Sequence, residues 1–171
     1  MMSVTEAIRT KRAVRQFQDK PLSDEAVLTI LEAGRRAQSA KNTQPWHFVA
    51  IRDKTILQAL AKTGDYAGHL AGAALGVAIL TPPPAERLSI MFDTGQAAAY
   101  MQLAAWELGV GSCIASIYEP EQARALLGFP AELHLQIAIS FGYPLAPADL
   151  SRPPKKGGRR PLDEVVHWDR W

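Results

Sequence analysis

Lys11-Arg12-Ala13-Val14-Arg15-Gln16-Phe17 and, further along, Gln38-Ser39-Ala40-Lys41-Asn42-Thr43-Gln44-Pro45-Trp46 are the two stretches whose reading decides this chain. The first sets basic side chains at 11, 12 and 15, a grouping suited to a phosphate, which arginine can grip through two N–H groups at once. The second is a polar loop that gathers hydroxyl, amide and aromatic groups ahead of a strand. Amides both donate and accept hydrogen bonds, as the edge of a pyrimidine-like ring requires.

Around these stretches the chain alternates helices and strands. Ser3-Val4-Thr5-Glu6 reads as a capping box opening a short helix through about Thr10. Ser23 caps a stronger helix, whose Val27, Ile30, Leu31 and Gly34 form one apolar face. A strand is expected over His47–Arg52, then a helix from Lys54 to about Lys62 with Gly64 as its C′ residue. The apolar run Leu75–Thr81, bounded by glycine and proline, reads as a buried strand. The longest helical pattern, rich in alanine, covers about Arg87 to Leu108 and closes at Gly109. A short strand at Ser112–Ser116 follows, then a helix with Pro120 in its first turn and Gly128 past its end. In the strand Leu133–Tyr143, Leu133, Leu135, Ile137, Ile139 and Phe141 are expected on one side.

Composition fits an ordinary soluble domain. The 171 residues are 47% hydrophobic and 21% charged, which excludes general disorder and suits one domain with a real core. A formal net charge of +2 is too small to imply nucleic-acid binding, but its distribution is uneven. Residues 1–20 carry net +3, residues 151–171 carry +3, and the chain between them carries −4. An anion held where the two ends meet is one reading, and two solvated arms is the other. No signal peptide is visible, and the uncharged stretch Tyr66–Ala85 leaves too short an apolar run to span a bilayer. One cysteine, Cys113, excludes an internal disulfide framework and fits a reducing, cytoplasmic setting.

Common catalytic signatures fail. Gly109-Val110-Gly111 lacks the third glycine of a dinucleotide fingerprint, because position 114 is Ile, and no Walker A or Gly-x-Ser-x-Gly sequence occurs. His47, His69, His134 and His167 show no metal-ligand spacing and read as structural. Cys113, in an apolar setting, reads as a small buried hydrophobe and not a nucleophile. The segment Asp65–Arg87, where a lid would lie, shows no specific chemistry. In the tail, Val165, Val166 and Trp168 have no clear partner element, so the arm lies across its own domain or embraces another subunit.

The chain resembles the short members of the nitroreductase family of FMN-dependent oxidoreductases. The family pattern Arg-Arg-Ser-x-Arg-x-Phe is similar to Lys11–Phe17, and Pro-Ser-x-x-Asn-x-Gln-Pro-Trp is similar to Gln38–Trp46. Asp93-x-Gly95 with the alanine-rich helix into Gly109-Val110-Gly111-Ser112-Cys113 resembles the central helix and following strand. Phe141-Gly142-Tyr143-Pro144 resembles the late strand ending, and Arg159-Arg160-Pro161-Leu162-Asp163-Glu164-Val165-Val166 the C-terminal signature. The matches keep family order over nearly the whole chain, and together they are specific.

The resemblance implies that Lys11, Arg12 and Arg15 bind the phosphate and ribityl oxygens of FMN, with Arg159, and Arg160 or Lys156 beside it, completing the phosphate site. Ser39, Asn42 and Gln44 lie around the isoalloxazine from the opposite subunit of a homodimer, and backbone groups of Ala115, Ser116 and Ile117 lie near flavin N5. Asp65 falls where some members place an asparagine. Ala13 departs from the usual hydroxyl, which removes one hydrogen bond to the cofactor; Lys11 offers a point charge where an arginine fork is common, and Gln38 replaces the proline before Ser39.

The expected fold is α+β and nitroreductase-like: a small mixed, mostly antiparallel sheet flanked by helices. Residues 1–150 form the FMN-binding core, and 151–171 an arm exchanged in the homodimer. The expected enzyme takes a hydride from NADH or NADPH onto FMN and reduces a nitroaromatic, a quinone or a similar small acceptor, by a ping-pong mechanism in one pocket. Flavin N5 carries the chemistry, with no catalytic side chain, no metal, and no nucleic-acid or membrane partner. The alternatives are a flavin-binding or sensing module with little turnover, or a relative that fragments reduced flavin or dehalogenates iodotyrosine.

Overall fold

Strand β2 (Leu75–Thr81) lies at the centre of the sheet, and all seven of its residues are buried, as its uninterrupted apolar run demands. The structure, a computed structural model, describes residues 2–151 and 158–171. Lys156, expected beside the phosphate, lies outside the described residues, as do Arg152, Lys155 and Gly157. Flanking β2 are β1 (His47–Ile51) and β4 (His134–Gly142), and β3 (Gly111–Ser116) forms the far edge, in the order β1-β2-β4-β3. Every strand pair is antiparallel; a single parallel bridge, Ala13 to Ser112, supplies the mixed element.

Alternation along β2 divides the core into two layers. Leu75, Val77 and Ile79 pack against α2 (Asp24–Arg35) and α4 (Ser89–Glu107) through Val27, Ile30, Ala97, Met101 and Ala105. Ala78 and Leu80 pack on the other side with α3 (Lys54–Leu60) and α5 (Pro120–Leu127) through Leu57, Leu60 and Ala123. Ser3 and Ser23 cap α1 (Val4–Thr10) and α2 as expected, each accepting a backbone N–H three residues on. Gly34 of α2 lets the two helices approach closely, since a Cβ there would run into Met101 Cε of α4.

Two expectations need correcting. The register slips between Ile79, opposite Ile137, and Leu80, opposite Leu135. That bulge reverses the facing of β4, so Leu133 and Leu135 join the α3/α5 layer while Ile139 and Phe141 join the α2/α4 layer. Helix α3 also stops earlier than expected, at Leu60 with Ala61 as its cap. Gly64 therefore is not a C′ residue; it is glycine because a Cβ there would strike the Ser116 carbonyl oxygen. By contrast Gly128 does close α5 in the left-handed conformation, at φ 69°. Among the described residues, no helix is long and apolar enough to cross a membrane.

Candidate functional site

The segment after α1 is laid against the open edge of β3. Val14 N–H donates to the Ser112 carbonyl at 3.0 Å, and Phe17 bridges Pro144. Two glycines make the contact possible. A Cβ on Gly111 would stand 2.6 Å from Val14 Cβ, and one on Gly142 would stand 2.9 Å from the Phe17 ring. Polar side chains of α4 pin the same region: Trp106 Nε1 donates to Thr10 Oγ1 at 3.0 Å, and Gln102 Nε2 to Ser112 Oγ at 3.2 Å. With Val14 buried, extended alternation turns its neighbours Ala13 and Arg15 outward, where both are exposed.

Lys11, Arg15, His69 and Cys113 meet at this edge. Burial pushes the Lys11 ammonium below the usual lysine range, opposed by its attraction to Cys113. Burial pushes the Cys113 thiol up, opposed by Arg15 and Lys11. His69 is pushed down by burial and by the Arg15 charge, while hydrogen bonding to the Ile114 backbone pulls it up. Its Nδ1 lies 2.7 Å from Ser140 Oγ, which donates to the Cys113 carbonyl at 3.3 Å. Thiol and imidazole are thus held neutral, which leaves the lysine and arginines as the site's charge. Arg12 is half-buried; its Nη1 donates to the Arg9 and Lys11 carbonyls, and among the described residues its buried Nε has no partner.

An open cavity of about 520 Å³ lies alongside, lined by Arg15, Gln16, Tyr66, Gly68, His69 and Ile114. Five of these, Gln16, Tyr66, Gly68, His69 and Ile114, were not among the sequence candidates. Tyr66, Gly68 and His69 belong to the segment expected to lack chemistry, and the His69–Ser140 contact joins residues 71 positions apart. Asp65, just before this turn, is exposed. On β3 and beyond it, Ala115 and Ile117 are buried while Ser116 is exposed.

Ser39, Asn42 and Gln44 lie elsewhere. Their loop contains the 3-10 turn Ala40–Asn42 and is tied to the start of α4: Ala40 N–H donates to Asp93 Oδ1 at 3.0 Å, and Arg87 Nη2 to Thr43 Oγ1 at 2.7 Å. Ser39 Oγ accepts the Gln44 N–H at 2.9 Å. Lys41, Asn42 and Gln44 have φ of 53°, 54° and 47°, each a departure costing on the order of 1 kcal/mol. Asp93 and Trp106 mark the two attachments on α4, roughly 20 Å apart at the helical rise per residue. One chain therefore does not bring its cations and its loop amides together. Arg159 and Arg160 are exposed and do not line the cavity; Arg160 Nε lies 3.4 Å from Glu164 within the tail.

These features define an α+β protein with a cation-lined edge beside an open cavity. The Nitroreductase family profile matches residues 8–70 and 62–143. A protein of Archaeoglobus fulgidus named "Putative NADH dehydrogenase/NAD(P)H nitroreductase" is 32% identical over 144 residues, covering 80% of this chain and 83% of that protein. A Methanothermobacter thermautotrophicus protein of the same name is 28% identical over 178 residues, with 99% and 88% covered. Among solved structures, an FMN-dependent nitroreductase from Clostridium difficile superposes with a TM-score of 0.82 at 25% identity, covering 96% of this chain and 98% of that one. The chain belongs to the nitroreductase family.

Proposed function

We propose that this protein is an FMN-dependent oxidoreductase that carries electrons from NADH or NADPH to a small acceptor of the nitroaromatic or quinone type. The supporting observation is the set of cations, Lys11, Arg12 and Arg15, presented by one segment along β3 beside a cavity. The donor set fits the cofactor: a phosphate needs several N–H donors, and the buried Arg12 Nε–H is a donor with no acceptor among the described residues. Bound FMN supplies what no side chain can, reversible acceptance of a hydride.

The chain's own residues bind and orient. Lys11, Arg12 and Arg15 hold the phosphate and ribityl oxygens, and Arg15, which also lines the cavity, adds positive charge there that favours an anionic donor. His69 lines the cavity and Cys113 is buried beneath the same edge; both are held neutral and leave protons to water. Donor and acceptor occupy this one cavity in succession, so double-reciprocal plots at several acceptor concentrations are expected to be parallel, and intersecting lines would overturn this order.

The working unit is a homodimer. α4 buries one face in the core and leaves Met91, Phe92, Gly95, Ala99 and Tyr100 exposed on another, an apolar stripe of the kind that marks an interface. Two copies paired antiparallel along this stripe bring the loop end of one helix to the cation end of the other. Val165, Trp168 and Trp171 are also exposed, which suits a tail beyond residue 150 that reaches across the partner and carries Arg159 to the phosphate.

The test is reconstitution. The purified protein titrated with FMN is expected to give a saturable change in the flavin spectrum and then to oxidise NADH or NADPH with a nitroaromatic or quinone acceptor. A protein that binds no FMN would overturn the proposal, and saturable FMN binding without turnover would reduce it to a binding module.

A further inference from the structure

We propose that Asp93 is a positioning residue, which holds the loop Ser39–Gln44 in the geometry that presents Asn42 and Gln44 to the flavin of the partner subunit. The inference rests on the flavin reading above but concerns a residue outside the cation edge. Asp93 is buried in α4, its side chain 3% exposed. Oδ1 accepts the Ala40 N–H across 53 residues of sequence, and among the described residues Oδ2 has no hydrogen bond and faces Arg87 at 3.9 Å.

A buried carboxylate with one hydrogen bond and one long ion pair is a poor way to fill a core, where an apolar side chain of similar volume commonly serves stability as well or better. Fixed geometry is what it provides. The loop runs through three left-handed residues, a path an untethered chain would leave. Asp93 anchors its entry at Ala40, Arg87 holds Thr43, and Ser39 Oγ closes it onto Gln44 N–H. Among the described residues the side-chain amides of Asn42 and Gln44 have no hydrogen-bond partner, and both residues are exposed. The loop thus holds two unsatisfied amides outward on a braced backbone, as a hydrogen-bonding ring edge requires.

The full-length dimer, stripped of flavin, is titrated with FMN by fluorescence quenching and separately digested with trypsin, which cleaves after the exposed Lys41. Asp93→Ala is expected to weaken FMN about tenfold, the size of a lost charge-assisted hydrogen bond, and to speed cleavage at Lys41 by a similar factor. Asp93→Asn, whose Oδ1 can still accept the Ala40 N–H, is expected to stay within about threefold of the unmodified protein on both readouts. If Asp93→Ala does not fold, Arg87→Gln tests the same loop from its solvent side, with a smaller shift in the same direction. Unchanged FMN affinity in Asp93→Ala, even with faster cleavage, would overturn the positioning role alone. Failure of the unmodified protein to bind FMN would overturn the reading beneath it.

Discussion

The two ends of α4 hold the cation segment and the amide loop by different physics. At the C-terminal end the cation segment is fixed by close packing, with Val14 on Gly111 and Phe17 on Gly142, and by Trp106 donating to Thr10 just before it, while Gln102 holds Ser112 of the strand it lies against. At the N-terminal end the amide loop touches little apolar surface and is fixed by a buried carboxylate, an arginine and a hydroxyl. Phosphate binding needs charge at the right place and tolerates little backbone movement, which packing secures. Ring-edge recognition needs oriented donors and acceptors, which a polar brace secures in a conformation that packing alone would not select.

This contrast can be broken first at its packed end. Gly111→Val places a side chain where Val14 now sits; overpacking of this kind costs about 1–3 kcal/mol, read as a lower melting temperature. Displacing Lys11 and Arg15 together is expected to weaken FMN by about two orders of magnitude, the sum of two charge-assisted contacts. Unaltered FMN affinity would show that the cations are not placed by this contact.

Arg15→Ala sharpens the comparison by removing charge without disturbing packing, since the side chain is exposed. FMN affinity is expected to fall by about 1.5–3 kcal/mol with the melting temperature of the flavin-free protein nearly unchanged. Ending the chain at Leu150 is expected to weaken both dimer and flavin about tenfold, through loss of Arg159 and of the arm's apolar contacts. A truncated protein with full FMN affinity in a stable dimer would remove the tail from the site.

The smallest effect belongs to Cys113. Burial raises its thiol, so it is expected to resist alkylation at neutral pH. Cys113→Ala should cost about 1 kcal/mol of packing and leave kcat within about tenfold. A loss beyond about a hundredfold, the scale of acid–base catalysis, would give the thiol a chemical part.

What could be read from sequence were features with local causes. Ser3 and Ser23 announce their helices, Leu75–Thr81 reads as a buried strand in preference to a helix because glycine and proline bound so short an apolar run, and the cations at 11, 12 and 15 stand together before any fold exists. What could not be read depends on distant partners. His69 looks like a structural histidine until Ser140 and Arg15 are placed beside it. Gly64 mimics a helix stop, although its constraint comes from Ser116 on another element. The bulge opposite Ile79 is invisible in the regular alternation of Leu133–Phe141, because a register slip leaves hydrophobicity unchanged. Asp93 sits in an alanine-rich helix pattern with no sign that its carboxylate serves a loop far earlier in the chain.

The central claim is that each site takes its cations from one chain and its loop amides from the other, because α4 keeps them roughly 20 Å apart within a single chain. Subunit complementation tests it most directly. Arg15→Ala protein and a protein carrying Asn42→Ala with Gln44→Ala are unfolded together, refolded as mixed dimers and assayed at an FMN concentration that saturates the unmodified protein but leaves either variant alone nearly empty and so nearly inactive. If sites are shared, half of the sites in each heterodimer are intact, and random pairing restores about a quarter of the activity of the unmodified protein. If each site is built within one chain, no combination contains an intact site, and the mixture stays as inactive as its components.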